Sequence, residues 1–276
     1  MIRGCYGGVT AWKILTGRIG SILWTMPKRP TPAQRDTARV ELVAASVGCV
    51  AVIVALVIIW MSRLTIPRDL YVSELGAQGE PTARAFMVAL LLIVVGGSAI
   101  AYAGRRVHSR VRALALWTPA ISLWIACGFF LFASQVTCTS GCPLPYGSTF
   151  NLQDFLHTLA AVLAFALACW AMLQTSFAQG HKVLARLSLA SSILVAILAG
   201  TGGLLSLFRF QQGFGSRLEF VATTIAIAWL VIFGGVLIAR LIRTMRTGEP
   251  IEPGESAIEP AREQDAAPSA KSEVVR

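Results

Sequence analysis

Six long apolar runs are the feature of this chain that most restricts its fold. Each run holds about 20 residues, which as an α-helix can cross the ~30 Å hydrocarbon layer of a membrane. Because lipid offers the backbone no hydrogen-bond partners, each run must satisfy its own N–H and C=O groups as a helix. The period-two alternation of a membrane β-barrel is missing from them. The runs cover residues 40–61, 85–103, 113–136, 155–177, 187–208 and 220–242.

The composition supports the same class of protein. Hydrophobic residues make up 55% of the 276 residues and charged residues only 14%, whereas soluble domains carry about 25% charged residues. A water-soluble fold of this size would need a polar shell that so few charges cannot form. We therefore predict an all-α integral membrane bundle of six transmembrane helices over residues 40–242.

The distribution of cations predicts the orientation of this bundle. With six spans both termini lie on one side, and 19 of the 24 Lys and Arg residues fall on that side. The positive-inside rule then predicts cytoplasmic termini and a location in the plasma membrane. Topology accounts for the net charge of +10. A nucleic-acid partner is not expected, because no basic face with stacking aromatic residues is visible.

The two ends of the chain differ from the apolar middle. Residues 1–39 are predicted as a basic cytoplasmic segment, with Met26 as an alternative start of translation. Residues 243–276 carry four prolines and seven acidic residues from position 244 onward. Such a segment has too few apolar side chains to offset its ordering entropy, so we predict a disordered cytoplasmic tail.

A polar segment at residues 138–157, between the third and fourth runs, contains the densest set of reactive residue types. Cys138 and Cys142 lie on the predicted outer side, where disulfides persist, and three residues between them allow a tight loop. We predict a disulfide between them. Metal binding is the alternative, although a zinc site usually needs a second pair of ligands nearby.

Asp154 and His157 end this segment and share one face of the fourth helix. Asp154 suits the first helical turn, where its charge complements the helix dipole. An ionisable residue such as His157 is costly in a membrane and usually faces the protein interior. If Asp154 bonds one ring nitrogen, the other is free for a metal, a substrate or a proton. The alternative is a buried histidine that only bonds a neighbouring loop.

The loop after the first run adds Ser73 and Glu74 on the same predicted side. If they meet Asp154 and His157, the site contains a hydroxyl, a histidine and carboxylates. These groups serve nucleophilic catalysis or metal-assisted hydrolysis. The alternative is a solvated loop with local caps.

Glycines within the predicted helices are expected to allow close helix packing. They occur in the second, fifth and sixth runs, at Gly96, Gly97, Gly200, Gly202, Gly203, Gly234 and Gly235.

Two short motifs resemble a known membrane family. The sequence Tyr-Val-Ser-Glu-Leu-Gly at residues 71–76 follows the first span, and Leu-His at 156–157 opens the fourth. Over residues 40–242 the chain resembles the six-helix proteins catalogued as domain of unknown function 998. These are loosely similar to Frag/DRAM-type proteins, some of which are tied to lipid remodelling or membrane trafficking. The resemblance points to Ser73, Glu74, Gly76 and His157 without assigning them an activity.

The sequence leaves open whether the protein is an enzyme. We expect a multi-pass membrane protein, lipid-associated or structural, without a cofactor, whose partners are lipids, another membrane protein or a second copy. The alternative is a membrane-embedded hydrolase or transferase acting on lipid head groups. In it Ser73 or a metal-bound water attacks, His157 is the base or a ligand of a divalent metal such as zinc, and Asp154 with Glu74 supports the site.

Overall fold

Six long helices form the protein in a computed structural model that describes residues 31–143, 147–148, 150–178 and 182–247. The described residues contain no β-strand, and all six helices are long and apolar enough to cross a membrane. The predicted all-α, six-helix, multi-pass fold is therefore confirmed. The helices are α1 (Pro32–Thr65), α2 (Ala83–Ala103), α3 (Pro119–Gln135), α4 (Leu152–Ser176), α5 (Lys182–Leu207) and α6 (Gln212–Thr247).

The predicted terminal segments lie mostly outside the described residues, as do Met26 and the tail beyond Thr247. Within the described part, α1 begins at Pro32, eight residues before the apolar run. A capping box explains this early start: Thr31 Oγ1 accepts a hydrogen bond from the Gln34 N–H, and the Gln34 side chain accepts one from the Thr31 N–H. Both donors would otherwise lack partners, and Pro32 is preset for the first helical position.

The helices pack as a closed ring in chain order. Each helix contacts the next one along the chain, and α6 returns to contact α1. Short connections at alternating ends make neighbouring helices antiparallel. The ring has two ends. The disulfide end holds residues 66–82, 136–143, 147–148 and 150–151, and the arginine end holds Arg105 and Arg106.

Two glycines, Gly48 on α1 and Gly96 on α2, let these helices approach closely because they have no side chain. A Cβ atom added at Gly48 would lie 2.7 Å from the Gly96 carbonyl oxygen, and one added at Gly96 would lie 2.8 Å from that of Gly48. The predicted packing role is therefore confirmed at Gly96. It is wrong at Gly200, Gly203 and Gly235, because a Cβ there would meet no described atom within 4 Å.

A buried ion pair joins α1 to the end of α2. Glu41 is only 2% exposed, and its carboxylate lies 2.7 Å from the Arg105 guanidinium and 3.4 Å from that of Arg106. The pair lies at the arginine end of the ring. Burial of a lone carboxylate would be costly, so these two cations are what makes the position of Glu41 tolerable.

Candidate functional site

A disulfide closes the loop between α3 and α4. Cys138 and Cys142 are bonded, with Cα atoms 5.3 Å apart, and the predicted bond is confirmed. Gly141 has a φ of +78°, a left-handed conformation that glycine adopts without steric cost, and this allows the short loop to close.

Asp154 ties this loop to the first turn of α4. Its side chain is buried, Oδ1 accepts a hydrogen bond from the Thr139 N–H at 2.6 Å, and Oδ2 accepts one from the Thr139 hydroxyl at 2.8 Å. Thr139 directly follows Cys138. The carboxylate therefore bonds Thr139, and not His157 as the sequence hypothesis had it.

His157 is buried one turn further along α4, with 4% of its surface exposed. Its Nδ1 lies 3.1 Å from the Ala133 carbonyl oxygen and 2.7 Å from that of Val136. These carbonyls belong to the last turn and the cap of α3, where helical partners are missing. Nδ1 therefore carries the hydrogen and donates to them, which fixes the plane of the ring.

The second ring nitrogen of His157 is in a different situation. Nε2 is buried and finds no hydrogen-bond partner among the described residues. In the neutral ring, with the hydrogen on Nδ1, Nε2 is a hydrogen-bond acceptor. An unpaired buried acceptor costs free energy, so this atom is the first candidate contact for a ligand. His157 borders a cavity inside the ring of helices, and also a small side cavity of about 10 Å³.

The larger cavity has a volume of about 100 Å³ and lies between α1, α2, α3, α4 and α6. Along α4 its lining extends from His157 to Met172, or about 22 Å at 1.5 Å per residue. That is most of the thickness of a ~30 Å hydrocarbon core. The cavity itself is small for so long a lining. Its walls are mainly apolar and include Phe86, Leu90, Phe130, Phe165, Ile227 and Trp229.

Ser73 lines this cavity together with His157, so the structure brings these two predicted residues to one site. Glu74 has a local role instead, because its Oε2 accepts a hydrogen bond from the Tyr71 N–H at 2.9 Å. Burial raises the pKa of the Glu74 carboxyl, and the charge of Arg68 acts in the opposite direction. Neither Glu74 nor Asp154 is among the residues that line the cavity.

Glu219 is the cavity residue that the sequence reasoning missed. It lies on α6, where its Oε2 accepts a hydrogen bond from the Val72 N–H at 3.0 Å. Thr223 lies one turn away on the same face, and both residues line the cavity. The hydroxyl of Thr223, like Nε2 of His157, is buried without a hydrogen-bond partner in the described structure. The available signal was an isolated acid directly before an apolar run.

The candidate ligands of a metal centre are the His, Cys, Asp and Glu side chains of the described residues. In the described ranges no three His, Cys, Asp or Glu side chains come close enough together to hold an ion. The zinc hypothesis for His157 therefore gains no support from the geometry.

One comparison with known proteins found a match. The sequence profile described as "Protein of unknown function (DUF998)" matches residues 43–236, which run from α1 into α6. No curated protein and no solved structure shows significant similarity to the chain. The resemblance carried by residues 71–76 and by His157 is confirmed at the level of the family.

Proposed function

The chain belongs to the DUF998 family of proteins of unknown function, and we propose that it binds a lipid with a single apolar chain inside its ring of helices. The observation that carries this proposal is the unpaired Nε2 of His157 at a mainly apolar cavity. Ligand sites are typically apolar cavities with a few placed polar groups. Here the polar groups are His157, Ser73, Glu219 and Thr223.

The shape of the cavity supports a chain-like ligand. Its lining extends for about 22 Å along α4, while its volume of about 100 Å³ is small for a bulky ring system. A space of about 100 Å³ would take in only a short stretch of a hydrocarbon chain, which would enter between the helices with its polar group near His157.

The orientation that we propose has the disulfide end outside the cytoplasm and both termini inside, in the plasma membrane. It is supported by the excess of cations in the segments of the other side and by the disulfide, which persists in oxidising surroundings. The lipid's polar group would then lie toward the outer leaflet.

The substitution His157→Asn tests the proposal. An asparagine amide can still donate to the Ala133 and Val136 carbonyls in place of Nδ1, but it has no atom at the position of Nε2. We expect the variant to fold, and to lose most of the lipid that copurifies with the wild type. The measurement is native mass spectrometry of the full chain released from detergent, with lipid extraction to count bound molecules.

Gly235→Ala is the matched control, since a Cβ at this position of α6 meets no described atom within 4 Å. It should keep the lipid content of the wild type. If His157→Asn is folded and carries as much lipid as both of these proteins, the histidine only caps α3 and the proposed function is wrong.

A second candidate function is a hydrolase or transferase acting on lipid head groups. It is favoured by one observation, that Ser73 and His157 line the same cavity. The hydroxyl of Ser73 would attack the ester carbonyl, and Nε2 would take its proton and pass it to the departing alcohol. Water or a second alcohol would then release the acyl group from Ser73. Ser73→Ala should then stop turnover of an ester lipid while the lipid still binds. Wild-type protein that binds the ester for hours and leaves it intact would exclude this candidate.

A further inference from the structure

We propose that the polar group of the bound lipid is uncharged and carries a hydroxyl, as in a monoacylglycerol or a long-chain alcohol. This inference rests on the proposed function and adds the chemical class of the ligand. It follows from the donors, acceptors and charges that border the cavity.

The unpaired hydrogen-bonding groups of the cavity suit a ligand hydroxyl. In the neutral ring of His157, Nε2 is an acceptor, because Nδ1 donates to the Ala133 and Val136 carbonyls. The Thr223 hydroxyl can donate or accept and is unpaired within the described structure. A ligand hydroxyl can donate to Nε2 and can also accept from a neighbouring hydroxyl. A hydroxyl can therefore pair with either of these groups.

The charged residues around the cavity disfavour an anionic head group. Of the described residues that line the cavity, none is a lysine or an arginine, and Glu219 is the only acid. Two arginines at the disulfide end are already engaged, Arg63 with Asp69 at 2.7 Å and Arg68 with Glu80. A phosphate or carboxylate in the cavity would find no lysine or arginine in its lining and would be repelled by an ionised Glu219.

Acidic head groups also lack the hydrogen-bond donor that Nε2 of the neutral histidine needs. An ionised carboxylate has acceptors only, so it would point lone pairs at the lone pair of Nε2. A buried charge without a partner is much more costly than a buried hydroxyl with one. The same chain with a hydroxyl head should bind more tightly than with an acidic head.

The experiment compares three lipids with the same 18-carbon chain on the full-length protein in detergent: a monoacylglycerol, the free fatty acid and the lysophosphatidic acid. Each is added in excess, unbound lipid is removed by gel filtration, and the retained lipid is counted by mass spectrometry. We expect the monoacylglycerol to be retained at about one per chain, and roughly tenfold more tightly than either acid.

Two variants test whether Thr223 and His157 bind the hydroxyl of the ligand. Thr223→Val keeps the shape of the side chain and removes its hydroxyl, and His157→Asn removes Nε2. Each should weaken retention of the monoacylglycerol by roughly tenfold and leave retention of the acids unchanged. Gly235→Ala serves again as the control.

The outcomes separate this inference from the proposed function. If an acid is retained as well as the monoacylglycerol, or better, and His157→Asn abolishes its retention, a lipid site exists but the inference about its head group is wrong. If no lipid is retained, or if all are retained equally by wild type and variants, the proposed function and the inference both fail.

Discussion

At the scale of single residues, Asp154 and His157 serve different partners although they lie three positions apart on α4. Asp154 bonds the backbone and the hydroxyl of Thr139, whereas His157 bonds two carbonyls at the end of α3. Sequence spacing predicts their shared helix face. The spacing does not predict their hydrogen-bond partners, because the loop that bonds Asp154 and the helix end that bonds His157 come from other parts of the chain.

Asp154→Ala should therefore act on stability. The substitution removes the carboxylate that accepts two hydrogen bonds from Thr139, and we expect a loss of about 3 kcal/mol in the free energy of unfolding. Thr139→Val, which removes only the hydroxyl donor, should cost about half as much. Thermal unfolding in detergent measures both. Undiminished stability of Asp154→Ala together with loss of bound lipid would instead assign Asp154 to the ligand site.

Glu74 gives a pH dependence whose sign follows from its environment. Burial raises the pKa of its carboxyl, so the folded protein binds this proton more tightly than the unfolded chain does. The protonated Glu74 carboxyl therefore contributes its full stabilisation of the fold below about pH 4.3, the ordinary pKa of a glutamate. This contribution is lost as the pH rises through the raised pKa of the folded state.

Glu74→Gln should lack this decrease in stability between pH 4 and neutral pH, because an amide does not titrate. Unfolding midpoints over a pH series measure the difference from wild type. Asp36→Asn is the control, since Asp36 is largely exposed and faces Arg39 across a turn. Parallel curves for wild type and Glu74→Gln would show that Glu74 is not the group responsible.

At the scale of helices, the apolar runs predict the membrane-crossing cores better than the helix ends. The fourth run predicts 155–177 and the helix is Leu152–Ser176, whereas the sixth predicts 220–242 and the helix is Gln212–Thr247. The first two turns of α6 bind protein instead of lipid. Ser216 donates to the Leu70 carbonyl at 2.6 Å, and Glu219 accepts from Val72. A hydropathy criterion does not assign polar residues to a helix when protein groups are their partners. For this reason the sequence did not predict the place of Glu219.

The contact between α1 and α2 should be sensitive to a single methyl group. Gly96→Ala would push a Cβ to 2.8 Å from the Gly48 carbonyl oxygen, and backbone cannot move aside as a flexible side chain can. We expect a loss of about 1–3 kcal/mol in unfolding free energy. Gly235→Ala should be neutral or slightly stabilising, since alanine favours helix by up to about 1 kcal/mol. Equal melting temperatures for the two variants would contradict this packing.

At the scale of the whole molecule, ring closure assembles the site. Ser73, His157 and Glu219 come from the loop after α1, from α4 and from α6, and they line one cavity because α6 packs back against α1. The family motifs identify Ser73 and His157. The sequence alone does not predict their convergence, because hydrophobic runs specify how many helices form and not which ones become neighbours.

The orientation of the ring can be tested with its cysteines. A membrane-impermeant maleimide applied to intact cells should label Cys138 and Cys142 only after reduction, because their thiols are joined. Cys5, near the N-terminus, should react only after permeabilisation. Labelling of Cys5 on intact cells, or of Cys138 without reductant, would contradict the proposed topology or the bond.

The buried ion pair of Glu41 has a consequence for biosynthesis. Glu41 leaves the ribosome 64 residues ahead of Arg105, the partner that neutralises it. Until α2 has been made, α1 would enter the bilayer with an uncompensated carboxylate near its end, which insertion disfavours. We therefore expect α1 and α2 to be released into lipid together, as a hairpin, and a ribosome stalled before Arg105 to leave α1 still in contact with the translocation machinery.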